Sequence, residues 1–241
     1  MSTRASLLFP AVQDPAAAEA SSRPSQAPAR GPVWDSGRFA REQIHRLVRQ
    51  IFFPGWPKPA RHVVFAGIDH DVDIAGLCLQ VGEILADQVP CRIGVVEASL
   101  RPADFEDVFG LKSAQAEREP AKPPRSASHQ ISSRLWLVPP DSFWENQEQH
   151  FSLAGMEAAT GQLRHDFDYT VLHAPPAARG SEAALLGHLS DGVVLVLEAN
   201  CTRRVAAQKV KEMLHGANIR VLGAVLTGRT FPIPEGIYRK L

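Results

Sequence analysis

Short, strongly apolar segments alternate with segments of helical pattern along most of the chain, and this alternation constrains the fold more than any other feature. Six segments are predicted to be buried strands: 62–66, 92–96, 135–138, 169–172, 193–197 and 220–226. Helical patterns lie between most of them, at 74–85, 151–164, 181–189 and 203–214. Strands that are joined by helices form parallel sheets through right-handed crossovers. The sequence therefore predicts an α/β fold, a mostly parallel twisted sheet with helices on both faces.

Three other segments complete the domain plan. Residues 1–34 are rich in Ala, Pro and Ser and have little to bury, so they are interpreted as a flexible tail. Residues 112–133 combine Pro, Ala, Ser and charge, which predicts a mobile insertion. Residues 35–241 would then form a single domain. It is expected to begin with a helix near Asp35 or Ser36 whose apolar side chains form one stripe: Ile44, Leu47, Val48 and Ile51.

Charge and cysteine content exclude several function classes. Lys plus Arg and Asp plus Glu both number 26, so no global basic field attracts nucleic acid or anionic lipid. No apolar run approaches the ~20 residues of a membrane span. The three cysteines, Cys78, Cys91 and Cys201, form no CxxC and are interpreted as core-filling residues. We expect a cytoplasmic protein, in a reducing compartment, without a nucleic-acid partner.

Three strand ends carry the most informative residues, because ligands of such sheets bind at the carboxyl ends of the strands. The first is the loop 67–75 (GIDHDVDIA), which begins with Gly67 and includes Asp69. The second is 95–102 (VVEASLRP), and the third is 167–176 (FDYTVLHAPP).

These segments resemble the bacterial tyrosine kinases (BY-kinases) of exopolysaccharide and capsule synthesis, a branch of the MinD/ParA-type P-loop ATPases. In that family a segment like IDADLRRP ends the second strand, and FDYVIIDTPP forms the fourth. The stretches 189–214 and 219–228 are similar to the family's fifth strand, the helix after it and the sixth strand. The resemblance covers about 35–230 and implies a P-loop NTPase fold.

The first predicted helix also matches the family. Its ExxRxxR oligomerisation motif is represented by Gln43, Arg46 and Arg49, with Glu42 one place early. The resemblance implies a homo- or hetero-oligomer in which this face contacts a second copy or a related kinase. An ordinary solvated helix face is the alternative.

The departures from the family fall on the nucleotide site, whose Walker A motif is degenerate. A P-loop needs glycines around phosphate, a Lys for the β- and γ-phosphates and a Ser or Thr for Mg²⁺. Here Asp71 and Asp73 stand at the glycines, Ile74 at the Lys and Ala75 at the hydroxyl. Two like charges at ~4 Å repel by about 4 kcal/mol at an effective dielectric near 20. A triphosphate is therefore expected to be repelled.

The other two strand ends are altered as well. The family's two acidic positions after the second strand are Glu97 and Ser99 here, and its third strand-end Asp is His173. The C-terminal tyrosine cluster that these kinases autophosphorylate is missing, since the chain has only Tyr169 and Tyr238.

Three functional hypotheses follow. The first is a pseudokinase without cofactor, an interaction or regulatory subunit that joins a membrane polysaccharide co-polymerase and is thereby peripheral at the inner membrane. The second is a tyrosine kinase that uses ATP and Mg²⁺ in an unconventional site. The third is a metal-dependent hydrolase using Asp71, Asp73, Glu97 and His173, types that suit Zn²⁺ or Mn²⁺. The structural alternative is that Asp73 caps the following helix and His173 is a hydrogen-bonded strand-end histidine.

Overall fold

A computed structural model describes residues 36–53, 59–69, 73–99, 128–140 and 153–228. The strands are β1 (His62–Gly67), β2 (Ile93–Glu97), β3 (His129–Gln130), β4 (Leu135–Val138), β5 (Tyr169–Ala174), β6 (Gly192–Glu198) and β7 (Val221–Thr227). The helices are α1 (Ser36–Phe52), α2 (Ile74–Gln88), α3 (Leu153–Asp166), α4 (Glu182–His188) and α5 (Arg204–Gly216).

The strands form one seven-stranded sheet in the order β3-β4-β2-β5-β1-β6-β7. Every pair is parallel except β3 with β4. The predicted α/β fold is confirmed. The antiparallel β3 was not predicted, because a two-residue strand carries no periodic pattern. It lies within 112–133, so the end of the predicted mobile insertion is an edge strand, while 112–127 lie outside the described residues.

Alternating side chains of each central strand enter two hydrophobic layers, as the pleat requires. In β1, Val63 and Phe65 pack into the layer that contains α1 and α2. Val64 and Ala66 pack into the opposite layer, under α3, α4 and α5. The helices therefore cover both faces of the sheet.

The apolar stripe predicted for the first helix faces the core. Val48 and Ile51 are buried, and Ile44 and Leu47 pack partly buried against them. The ring of Phe52 meets Tyr169 edge to face, with ring centroids 6.1 Å apart. The predicted tail 1–34 and residues 54–58, which follow α1 in the sequence, lie outside the described residues.

Two carboxylates hold the amino ends of neighbouring strands together. Asp168, just before β5, accepts a hydrogen bond from the backbone N–H of Arg92 at 2.9 Å. Asp191, just before β6, accepts from the N–H groups of Arg61 at 2.7 Å and His62 at 2.8 Å. Each carboxylate thus fixes where the adjacent strand begins.

Gly192 follows Asp191 in a conformation that requires glycine. Its φ is +151°, and a Cβ added there would lie 2.6 Å from the carbonyl oxygen of Arg220. A side chain is therefore excluded both by backbone strain and by the close approach of β7.

The cysteines divide by burial. Cys78 is fully buried and fills the core as expected, and Cys91 is partly buried. Cys201 is exposed, in the turn after β6, so its interpretation as a core residue is wrong. One small side chain in a polar turn gives no periodic signal of its exposure.

Candidate functional site

The site lies at the carboxyl ends of the adjacent strands β2, β5 and β1. Glu97 pairs with His173 across β2 and β5, and Ala66 pairs with Ala174 across β1 and β5. The turn after β5 closes over the end of β1, where Ala177 N–H donates to the carbonyl of Gly67 at 2.9 Å. The topology therefore brings all three predicted strand ends to one edge.

The amino end of α2, where a P-loop would bind phosphate, is capped by its own chain. Asp73 Oδ1 accepts a hydrogen bond from the N–H of Gly76 at 3.0 Å, as predicted for a helix cap. The next two side chains point into the protein, since Ile74 is 2% exposed and Ala75 is 3% exposed. No cation and no hydroxyl stand at these two positions.

Glu97 and His173 form a buried pair. Their side chains are 0% and 9% exposed, and Glu97 Oε2 lies 2.7 Å from His173 Nδ1. The second oxygen, Glu97 Oε1, accepts a hydrogen bond from the N–H of Ser99 at 2.7 Å. The prediction of a hydrogen-bonded histidine is confirmed. Its partner could not be named from the sequence, because the pairing spans two strands that are distant in the chain.

Cys78 lies close enough to Glu97 and Asp73 to interact with them electrostatically, although the sequence did not predict it as a site residue. Burial, and then the carboxylates of Glu97 and Asp73, raise the pKa of its thiol well above the ordinary value. The thiol therefore stays protonated. The sequence could have indicated this proximity, because Cys78 lies one helical turn after Ile74 and residues 74 and 78 share a helix face.

The remaining predicted site residues do not complete a metal centre. Asp69 is partly buried in the loop after β1, and Asp71 lies outside the described residues. Within the described ranges, no three His, Cys, Asp or Glu side chains are grouped so as to hold a metal ion. The hydrolase hypothesis gains no support from this geometry.

The described residues at the positions implied for ATP and magnesium do not suit either group. The helix end that would receive phosphate is occupied by the Asp73 carboxylate. The lysine and hydroxyl positions hold buried Ile74 and Ala75. The remaining strand-end carboxylate, Glu97, is engaged through both of its oxygens.

The predicted interaction face on α1 is exposed. Four side chains occupy it, all away from the core layer: Glu42, Gln43, Arg46 and Arg49. On the inner side of the same helix, His45 Nδ1 lies 3.1 Å from Gln88 Nε2 and links α1 to α2.

Sequence comparison finds tyrosine kinases. The chain is 33% identical over 144 residues to tyrosine-protein kinase YwqD of Bacillus subtilis. The matched region covers 57% of this chain and 60% of that protein. It is 27% identical over 93 residues to tyrosine-protein kinase CpsD of Streptococcus agalactiae, covering 39% and 40%. The chain thus spans less than two thirds of these relatives. No protein-family model matches the sequence.

Comparison with solved structures finds the same kind of fold. The kinase domain of VpsO aligns with a TM-score of 0.62 at 16% identity, over 80% of this chain and 98% of that one. The chimerical protein CapA2B2 gives 0.62 at 14% identity, over 79% and 85%. The MinC:MinD cell division complex of Aquifex aeolicus gives 0.51 at 14% identity, over 69% and 67%. Among the described residues, no helix has the length and apolarity that crossing a bilayer requires.

Proposed function

We propose that the chain is a catalytically inactive member of the bacterial tyrosine kinase family, within the MinD/ParA-type P-loop ATPases. It would act as an interaction or regulatory subunit of exopolysaccharide or capsule biosynthesis and export. Its partner would be a membrane polysaccharide co-polymerase or a related kinase. The protein itself would lie in the cytoplasm, peripheral to the inner membrane through that partner.

The observation that carries this proposal is the amino end of α2. A helix amino end binds phosphate through N–H groups that have no partner within the helix. Asp73 occupies one of these groups with a carboxylate, 3.0 Å from the Gly76 nitrogen. Ile74 and Ala75 face the core, where they cannot reach a ligand.

Electrostatics support the same conclusion. A triphosphate approaching this edge would meet the carboxylate of Asp73, and no lysine follows Asp73 to offset it. At an effective dielectric near 20, each contact of like charges at ~4 Å costs about 4 kcal/mol.

The exposed face of α1 supports the interaction role. Arg46 and Arg49 lie on the solvent side of a helix whose other side is fixed to the core through Val48 and Ile51. Two exposed guanidinium groups on a helix that is packed against the core suit carboxylates on a neighbouring subunit, because bidentate pairing is strong and oriented.

A surviving kinase activity is the second candidate, favoured by the names of the relatives YwqD and CpsD. The test is incubation of the purified protein with MgATP, followed by mass spectrometry of the tyrosine-containing peptides. We expect no phosphate on Tyr169 or Tyr238. Phosphorylated Tyr238 would support the kinase and overturn the proposed inactivity.

A further inference from the structure

Three hydrogen bonds join the carboxyl ends of β2 and β5 and the first two residues after β2. His173 Nδ1 lies 2.7 Å from Glu97 Oε2, and the N–H of Ser99 donates to Glu97 Oε1 at 2.7 Å. The N–H of Ala98 donates to the carbonyl of His173 at 2.9 Å. The direction in which the chain leaves β2 is thereby fixed by one side-chain pair.

A buried carboxylate needs such a partner. Glu97 is 0% exposed, and an unpaired carboxylate at that depth is strongly unfavourable. An imidazole can supply the required N–H both as the neutral Nδ1–H tautomer and as the imidazolium. The contact therefore does not depend on a bound cation.

The family pattern places an aspartate at the position of His173. Two carboxylates on paired residues of β2 and β5 would repel, and a divalent cation between them would remove that repulsion. At 2.7 Å, the imidazole already occupies the space next to Glu97 that such a cation would need.

We propose that the Glu97–His173 pair is a built-in brace that replaces a divalent cation and holds the β2 and β5 strand ends in one arrangement without metal or nucleotide. This inference rests on the proposed function, to which it adds a mechanism. The strand ends would keep this arrangement constitutively, whereas a site built from two carboxylates would respond to its ligand.

The test is thermal unfolding of the full chain in a few millimolar MgCl₂ and in NaCl of matched ionic strength. We expect the same Tm for the unsubstituted protein in both salts. His173→Leu, which carries no donor, should lower the Tm by about 5–10 °C in both, because the buried carboxylate loses the imidazole N–H. His188→Leu, a matched change at an exposed histidine of α4, should change it by no more than about 1 °C.

His173→Asp provides the decisive comparison. It should melt lower than the unsubstituted protein in NaCl and recover several degrees in MgCl₂, because two facing carboxylates create a demand for the cation. A Tm of the unsubstituted protein that rises in MgCl₂, an unchanged Tm in His173→Leu, or no magnesium response in His173→Asp would each overturn the brace.

These outcomes are separable from the proposed function. Tight binding of MgATP with a magnesium-insensitive Tm would overturn the inactivity and leave the brace intact. Stabilisation by MgCl₂ without any nucleotide binding would overturn the brace alone.

Discussion

The two edges of the sheet use carboxylates in opposite ways. At the amino edge, Asp168 and Asp191 accept hydrogen bonds from backbone N–H groups of neighbouring strand starts, and so they align the strands. At the carboxyl edge, Asp73 caps a helix and Glu97 pairs with His173, in the place where the family fold positions nucleotide.

The resemblance to the kinases therefore has a different meaning at each edge, structural at the amino edge and chemical at the carboxyl edge. The FDY and SDG segments, which match the family, contain Asp168 and Asp191, and both have a structural role. By contrast, Ile74, Ala75 and His173 stand at individual positions that depart from the family pattern, where the resemblance implies contacts to nucleotide or metal. Shared fold determinants therefore account for the likeness to these kinases without implying their activity.

The largest expected effect on folding is at the amino edge. Asp191→Ala removes the acceptor of two backbone N–H groups, those of Arg61 and His62. We expect the free energy of unfolding to fall by about 2–4 kcal/mol, because hydrogen bonds to charged groups are strong and their loss leaves donors unpaired. Urea denaturation measures this. Asp87→Ala, at an exposed position of α2, is the control, and an equal loss in both variants would contradict the strand-aligning role.

The second effect is a pH dependence at the same edge. Burial first, and then the charge of Arg164, lower the pKa of His62 from 6.5 to about 4. Between pH 6.5 and 4, His62 is therefore protonated in the unfolded chain but neutral in the folded one. Stability should fall as the pH drops from 6.5 towards 4. The loss attributable to His62 should reach about 1–3 kcal/mol.

Unfolding curves at several pH values provide the check. His62→Gln should remove this part of the slope, whereas His188→Gln, at an exposed position, should leave it unchanged. An identical pH profile for the His62 variant would show that His62 is not the group responsible.

The third effect belongs to the carboxyl edge. Asp73→Ala should lower the free energy of unfolding by about 1 kcal/mol, the usual cost of losing a helix cap. Asp73→Asn should retain most of the stability, because asparagine caps helices comparably well. If chemical denaturation showed Asp73→Ala to be as stable as the unsubstituted protein, the cap would not matter to the fold.

The smallest effect on folding is expected at the interaction face of α1. Replacing Arg46 and Arg49 together by alanine should change stability by no more than about 0.5 kcal/mol, because both are exposed. Association should weaken, since truncating one partner of a buried interface charge pair can cost about 2–5 kcal/mol.

Light scattering and pull-down beside a melting curve measure both quantities. Replacing Lys209 and Lys211 on α5 is the matched control. Unchanged association in the α1 variant would identify that face as ordinary surface, and a large loss of stability would show that its buried side was misassigned.

The sequence predicts most of the sheet but only part of the site. Apolar segments and the stripe on α1 identify six strands and the first helix, because burial imposes a periodic pattern. The residue type of Asp73, next to a helix start, suffices to predict its cap. The Glu97–His173 contact depends on the register of β2 against β5, and the backbone contacts of Asp168 and Asp191 depend on strand alignment. Neither is encoded in local spacing.

Calorimetric titration with MgATP tests the central claim most directly. A kinase relative such as YwqD, assayed in the same buffer, serves as the positive control. We predict no binding tighter than millimolar, because Asp73 occupies the phosphate end of α2 and Ile74 provides no cation. A micromolar dissociation constant would contradict the account.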